Sequence, residues 1–159
     1  YVIENALGGP WDTCDTSDDC QDGLVCMGEI AWGTGIYCVD SSMYGTFSYD
    51  SKTKIPDNGN ALTTTVNVSG LASVPVDVVL TLDIDHPRPS DLVVTIDNFN
   101  GYSETVWNND SKPSSEIIVR AFPSDDMVNG NYNVTITDTV TGQAGVLNGW
   151  DLYIVSNWD

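Results

Sequence analysis

Apolar and polar residues alternate strictly along the second half of this chain, and that period of two restricts the fold more than any other feature. Val76, Val78, Leu80, Leu82 and Ile84 share one parity, with Asp77, Thr81 and Asp83 between them. Successive side chains of a strand point to opposite faces, so this segment reads as a strand with one dry side and one wet side. Leu92, Val94 and Ile96 repeat the pattern against Asp91, Thr95 and Asp97, as do Tyr132, Val134 and Ile136 against Asn131, Asn133, Thr135 and Thr137. Trp150, Leu152 and Ile154 close the series. Shorter candidates run from Leu62 to Val68, Ser103 to Trp107 and Glu116 to Arg120, separated by Gly, Pro, Asn or Asp. No segment has an amphipathic helical period. Roughly seven to nine short strands in about 100 residues predict an all-β, antiparallel jelly-roll β-sandwich. Its core is expected to hold Val78, Leu80, Leu82, Val94, Ile96, Val134, Ile136, Trp150, Leu152 and Ile154.

Charge narrows the partners. Of 159 residues 23 are acidic and only 5 are Lys or Arg, for a net charge of −18. Such a surface repels nucleic-acid phosphates and anionic lipid. No apolar run approaches the roughly 18 residues that a membrane span needs. The chain opens on Tyr1, with neither an initiator Met nor the basic and apolar regions of a signal peptide. It is therefore expected to be a processed piece of a longer protein.

Three regions differ in composition. Residues 1–40 hold Cys14, Cys20, Cys26 and Cys38, residues 41–58 read as a polar linker, and residues 59–159 form the strand-rich domain. Clustered cysteines mean either disulfides or a zinc site. Zinc ribbons and fingers pair ligands two to four residues apart, whereas here five, five and eleven residues intervene, which favours disulfides. Disulfides in turn imply an oxidising, extracellular compartment. Four cysteines allow three pairings, among which sequence alone does not choose.

From residue 55 onward three pieces stand in a specific order. "IPDNG" at Ile55–Gly59 precedes "TVNVSGL", which ends at Leu71. "LDIDHPRPSDLVVTI" spans Leu82–Ile96, and "AFPSDDMVNGNYNVTITDTVTGQAGVLNGWDLYIV" spans Ala121–Val155. In this combination the chain resembles the P domain (P/homo B domain) of secreted proteases. It departs from the family at Asp97-Asn98-Phe99-Asn100-Gly101, where a Ser-Pro-x-Gly hairpin is common. The resemblance implies a non-catalytic jelly roll covalently linked to an upstream protease domain of the serine-type, subtilisin-like class. Such domains stabilise the catalytic domain and assist its folding, and some help to bind substrate. The stretch "CDTSDDCQDGLVCMGEIAWGTGIYC" is similar to small four-cysteine modules beside extracellular domains. That similarity implies the pairs Cys14–Cys26 and Cys20–Cys38.

Little of this chain suggests catalysis. Its one histidine, His86, could pair with Asp91 five residues on, but no Gly-x-Ser-x-Gly elbow supplies a nucleophile. The pair reads instead as structural, fixing the Pro87–Pro89 loop. Calcium is the better chemical expectation. Asp83 and Asp85 share a parity, so their carboxylates emerge on one face about 7 Å apart. Asp91 follows in the next loop, and Asp125 and Asp126 could add ligands. The competing reading makes all five solvated turn acids. A carbohydrate-binding or adhesive module is the alternative function, prompted by 5 Trp and 7 Tyr. Trp150, however, shares the core parity, which favours packing over a sugar platform. Arg88, Arg120 and the Pro87–Pro89 loop are the places to look for a partner contact on so acidic a surface.

Overall fold

A computed structural model describes residues 6–10, 12–28, 36–40, 42–110, 116–119 and 128–157. Its strands are β1 (Val25–Gly28), β2 (Ile36–Val39), β3 (Tyr44–Tyr49), β4 (Thr53–Ile55), β5 (Ala61–Val68) and β6 (Val74–Asp85). They continue with β7 (Leu92–Asn98), β8 (Ser103–Asn108), β9 (Glu116–Val119), β10 (Gly130–Asp138) and β11 (Gly145–Asn157). Every pairing between them is antiparallel. One sheet runs β5-β10-β7-β8 and the other β3-β11-β6-β9, with β4 also paired to β11. The chain changes sheet at each step from β5 to β6, β6 to β7 and β10 to β11, so both inner faces close on one core.

That core follows the parity argument. All ten residues expected inside are at most 2% exposed. Val66, Val68, Leu92, Tyr132 and Leu147 join them. Trp150 cannot leave its indole N–H unmet in such a place. Its Nε1 donates to Thr64 Oγ1 in the opposite sheet at 2.8 Å. Tyr49 stacks on the same indole, with ring centroids 6.5 Å apart. Tyr132 is likewise buried, and its hydroxyl donates to the Val128 carbonyl at 2.7 Å. Burial pushes the Tyr132 phenol up to about 12.

Two expectations need correction. Residues 41–58 are not a linker, because they supply β3 and β4 to the sheet. Phe47 and Tyr49 pack against the core, while Thr46 and Ser48 alternate outward. An edge strand needs few apolar residues, so its composition looks like a connector. The wet side of β6 is also not wet throughout, since Asp77 and Val79 are both buried. Tyr153 stands opposite Val79 in the register. Its phenol is raised first by burial and then by Tyr44 and Asp77, which places these groups together on the outer face.

The N-terminal segment has its own buried cysteine cluster. β1 pairs with β2, and the disulfides are Cys14–Cys26 and Cys20–Cys38, the pairing that the module resemblance implies.

Trp150→Ala removes the largest inner side chain together with its cross-sheet hydrogen bond. Urea denaturation is expected to show a loss of roughly 3–5 kcal/mol. Tyr132 makes a second prediction. A phenol held above its ordinary value of about 10 stabilises the fold fully below that pH, and the contribution disappears as pH rises to about 12. Stability measured across this window should therefore fall less steeply in Tyr132→Phe than in the parent.

Candidate functional site

The residues singled out in the loop after β6 gather at one end of the sandwich, where the β6–β7, β10–β11 and β4–β5 connections meet. His86 continues the inward parity of Leu82 and Ile84, and Asp138 continues that of Val134 and Ile136. At the strand ends both turn into the same buried corner. His86 Nε2 lies 2.9 Å from Asp138 Oδ2, with side chains 1% and 0% exposed. The other ring nitrogen is also committed, since Nδ1 accepts the Arg88 backbone N–H at 3.0 Å. This geometry puts the ring proton on Nε2, directed at the carboxylate.

The carboxylate on His86 is therefore Asp138 and not Asp91. Asp91 serves the next residue of the loop, accepting from Arg88 Nε at 2.9 Å. Asp91 stands three positions after Arg88, a span that a short 3-10 turn over Pro89–Asp91 closes easily. His86, held on the far side of Pro87, faces the neighbouring sheet instead.

Other elements complete the clasp. Trp107 Nε1 donates to the Pro89 carbonyl at 3.0 Å, and Asn109 Nδ2 to the Ser90 carbonyl at 2.9 Å. Thr139 donates its backbone N–H at 2.8 Å and its hydroxyl at 2.7 Å to the Asp91 carbonyl. Asp57, from the turn between β4 and β5, accepts the Gly142 N–H through both oxygens at 3.0 Å. Gly145 is required where β11 begins. A Cβ there would run into the His86 ring and come within 2.8 Å of the Asp85 carbonyl. The loop thus presents Pro87 and Arg88 outward on a fixed frame.

Of the expected calcium ligands, Asp83 and Asp85 meet at one side chain. Asp83 Oδ1 and Asp85 Oδ2 each accept from Asn148 Nδ2 at 3.1 Å, so an amide donor stands between them where a cation would. Asn148 reaches them because the β6–β11 register slips between Leu147 and Gly149. Asp91 belongs to Arg88, and Asp125 and Asp126 lie outside the described residues, as does Arg120. Among the described residues, the only group of metal-capable side chains within ligand reach of one another is Cys14, Cys20 and Cys38, which are disulfide-bonded. Among the described residues, Asp83, Asp85 and Asp91 do not gather within ligand reach of one another.

Beside Asn148 lies an open groove of about 290 Å³, lined by Tyr49, Asp50, Thr81, Asp83 and Asp151 among others. Among the described tryptophans, Trp150 is in the core and Trp107 is half-buried with its N–H taken.

Asp138→Ala would strand a buried imidazole donor, at an expected cost of about 1–3 kcal/mol. Asp91→Ala leaves His86 with its partner and should cost less. Urea titration of both variants checks the assignment, and a larger loss in Asp91→Ala would contradict it.

Comparison with known proteins converges on this architecture. A serine protease of Aeromonas sobria superimposes with a TM-score of 0.56 at 12% identity, covering 72% of this chain and 26% of the protease. The same protein in complex with its chaperone ORF2 gives 0.58 at 13%, covering 73% and 26%. FlhE gives 0.52 at 10%, covering 72% of this chain and 98% of FlhE. At these identities the likeness is one of fold, and this chain spans about a quarter of the length of the protease. The proprotein convertase P-domain family model matches residues 75–154, from the start of β6 through the core of β11 and including the β6–β7 loop. The chain belongs to the proprotein convertase P-domain family.

Proposed function

We propose that this chain is a non-catalytic accessory domain of a secreted, subtilisin-like serine endopeptidase, and that it stabilises the attached catalytic domain and assists its folding. The observation that carries this reading is the family match over residues 75–154, which takes in strands of both sheets and the His86–Asp91 loop. Two disulfides support an oxidising, extracellular location. The clasped loop is the surface through which the domain meets its partner. Its backbone accepts hydrogen bonds from Trp107, Asn109 and Thr139, so contact costs little further ordering. Arg88 is half-exposed at 49%, and Asp91 engages only its Nε, so the guanidinium end can meet a partner carboxylate. On a chain of net charge −18 a positive group is the favourable point of approach for an acidic surface. Covalent linkage raises the local concentration of the domain, so a modest interface suffices.

The test compares the parent protease with and without this segment. Removal is expected to lower the melting temperature of the catalytic domain and its yield of active enzyme. Arg88→Glu in the intact protein should reproduce part of the loss without unfolding the sandwich. Equal stability, folding yield and activity on macromolecular substrate after removal would refute the accessory role. Peptidase turnover by the isolated chain would refute it independently.

A further inference from the structure

The strands at the margins of the two sheets differ in character. β8, at one margin of the first sheet, carries Glu104 and meets β7 through a register shift between Val94 and Thr95. β9, at one margin of the second, is four residues long and carries Glu116. Charge, bulges and short length are the usual means by which an edge strand avoids pairing with another chain. β5 has none of them. Its eight residues pair with β10 without a shift, and the run from Asn58 to Val76 holds no charged residue on a chain of net charge −18. Among the described residues, β5 pairs with β10 alone, and its backbone makes no hydrogen bond to another element. Its outer margin is therefore a row of backbone donors and acceptors. β3 also lacks charge, but it is shorter and borders Asp151, to which its Ser48 is bonded.

The side chains of β5 suit a copy of itself. Thr63, Thr65 and Asn67 are exposed on the outer face and already belong to cross-strand ladders. Thr63 Oγ1 lies 3.0 Å from Thr135 Oγ1, Thr65 donates to Asn133 Oδ1 at 2.6 Å, and Asn67 Nδ2 donates to Asn131 Oδ1 at 2.9 Å. Hydroxyl and amide groups both donate and accept, so another residue of the same kind can continue each row. On the inner parity Leu62 is only half-buried, at the rim of the core. Residues directly opposite in an antiparallel pair share a face, so a second β5 would set Thr and Asn beside the ladders and apolar groups beside Leu62. The adjoining outward residues of β10, from Asn131 to Thr137, are uncharged as well. Two copies can therefore meet here without placing like charges in contact.

We infer that β5 is a self-association edge, at which two copies of this chain pair β5 to β5 about a two-fold axis. Two four-stranded sheets then become one continuous sheet. With the axis at Thr65, Thr63 faces the second copy's Asn67, and Leu62 faces its Val68. An interface one strand wide is smaller than the roughly 1,200–2,000 Å² of stable complexes, so the dimer is weak and depends on concentration. It also depends on salt in a diagnostic direction. Two chains of charge −18 repel at a distance, and salt screens that repulsion, so the dimer tightens as salt rises. An association held by ion pairs would loosen instead.

Sedimentation equilibrium of the 159-residue protein tests this at low and high sodium chloride, up to about 1 mM chain, the weak end of measurable association. A monomer–dimer equilibrium that tightens with salt is expected. Thr65→Lys sets two ammonium groups side by side at the axis and should leave the protein monomeric, with its urea midpoint confirming that the sandwich is folded. Thr105→Lys, on β8 at the far margin of the same sheet, should leave the dimer intact. Hydrogen exchange of the parent protein gives a reading independent of both variants. The β5 amides directed away from β10 should slow as concentration rises. A chain that stays monomeric throughout, or a dimer that persists in Thr65→Lys, would overturn the inference. So would a dimer that forms without slowing any β5 amide.

Discussion

The long pairing of β6 with β11 is what the remainder of the sandwich is built on. Their register runs from Val146 opposite Asp85 to Asn157 opposite Val74. Val78, Leu80 and Leu82 on one strand and Trp150, Leu152 and Ile154 on the other all contribute to the core. β3 and β4 add to the free side of β11, and β9 to the free side of β6. The second sheet is fastened across the core through Trp150 and Thr64. Two glycines on β11 allow this closeness. Gly145 makes room for His86, and a Cβ at Gly149 would lie 2.5 Å from the Tyr49 carbonyl.

The same pairing sets the clasped end. Where β6 runs out, the next inward position is His86; where β10 runs out, it is Asp138. Burying an imidazole and a carboxylate is costly unless each satisfies the other, and at 2.9 Å they do. Because Nδ1 also holds the Arg88 amide, the buried pair transmits its rigidity to the exposed Pro87–Arg88 tip. The tip is thereby fixed by the core, although it lies at the surface.

Strand positions and core membership were legible from parity, because one-sided burial leaves a period of two in the residues themselves. The linker assignment failed at β3, where Gly45, Phe47 and Tyr49 carry the inward parity too sparsely to stand out. Asp77 could not be anticipated, since its burial comes from covering on the outer face rather than from its parity. The His86–Asp138 pair had a signal that was missed. Both residues continue the inward parity of their strands, and a buried acid must have a partner. Proximity in sequence pointed to Asp91, whereas sheet packing brought together residues 52 apart. The bulge that delivers Asn148 to Asp83 and Asp85 has no signature beyond the Asn148-Gly149 dipeptide.

The central claim is that the buried His86–Asp138 pair makes the β6–β7 loop as firm as the sheets that carry it. Native-state hydrogen exchange of the Arg88 amide measures this directly, because that N–H is bonded to His86 Nδ1 and sits in the exposed loop. If the account is right, the Arg88 amide exchanges with a free energy close to that of the β6 and β11 amides, and Asp138→Ala lowers it to that of a local opening. Rapid exchange at Arg88 in the parent protein, with β6 and β11 protected, would contradict it.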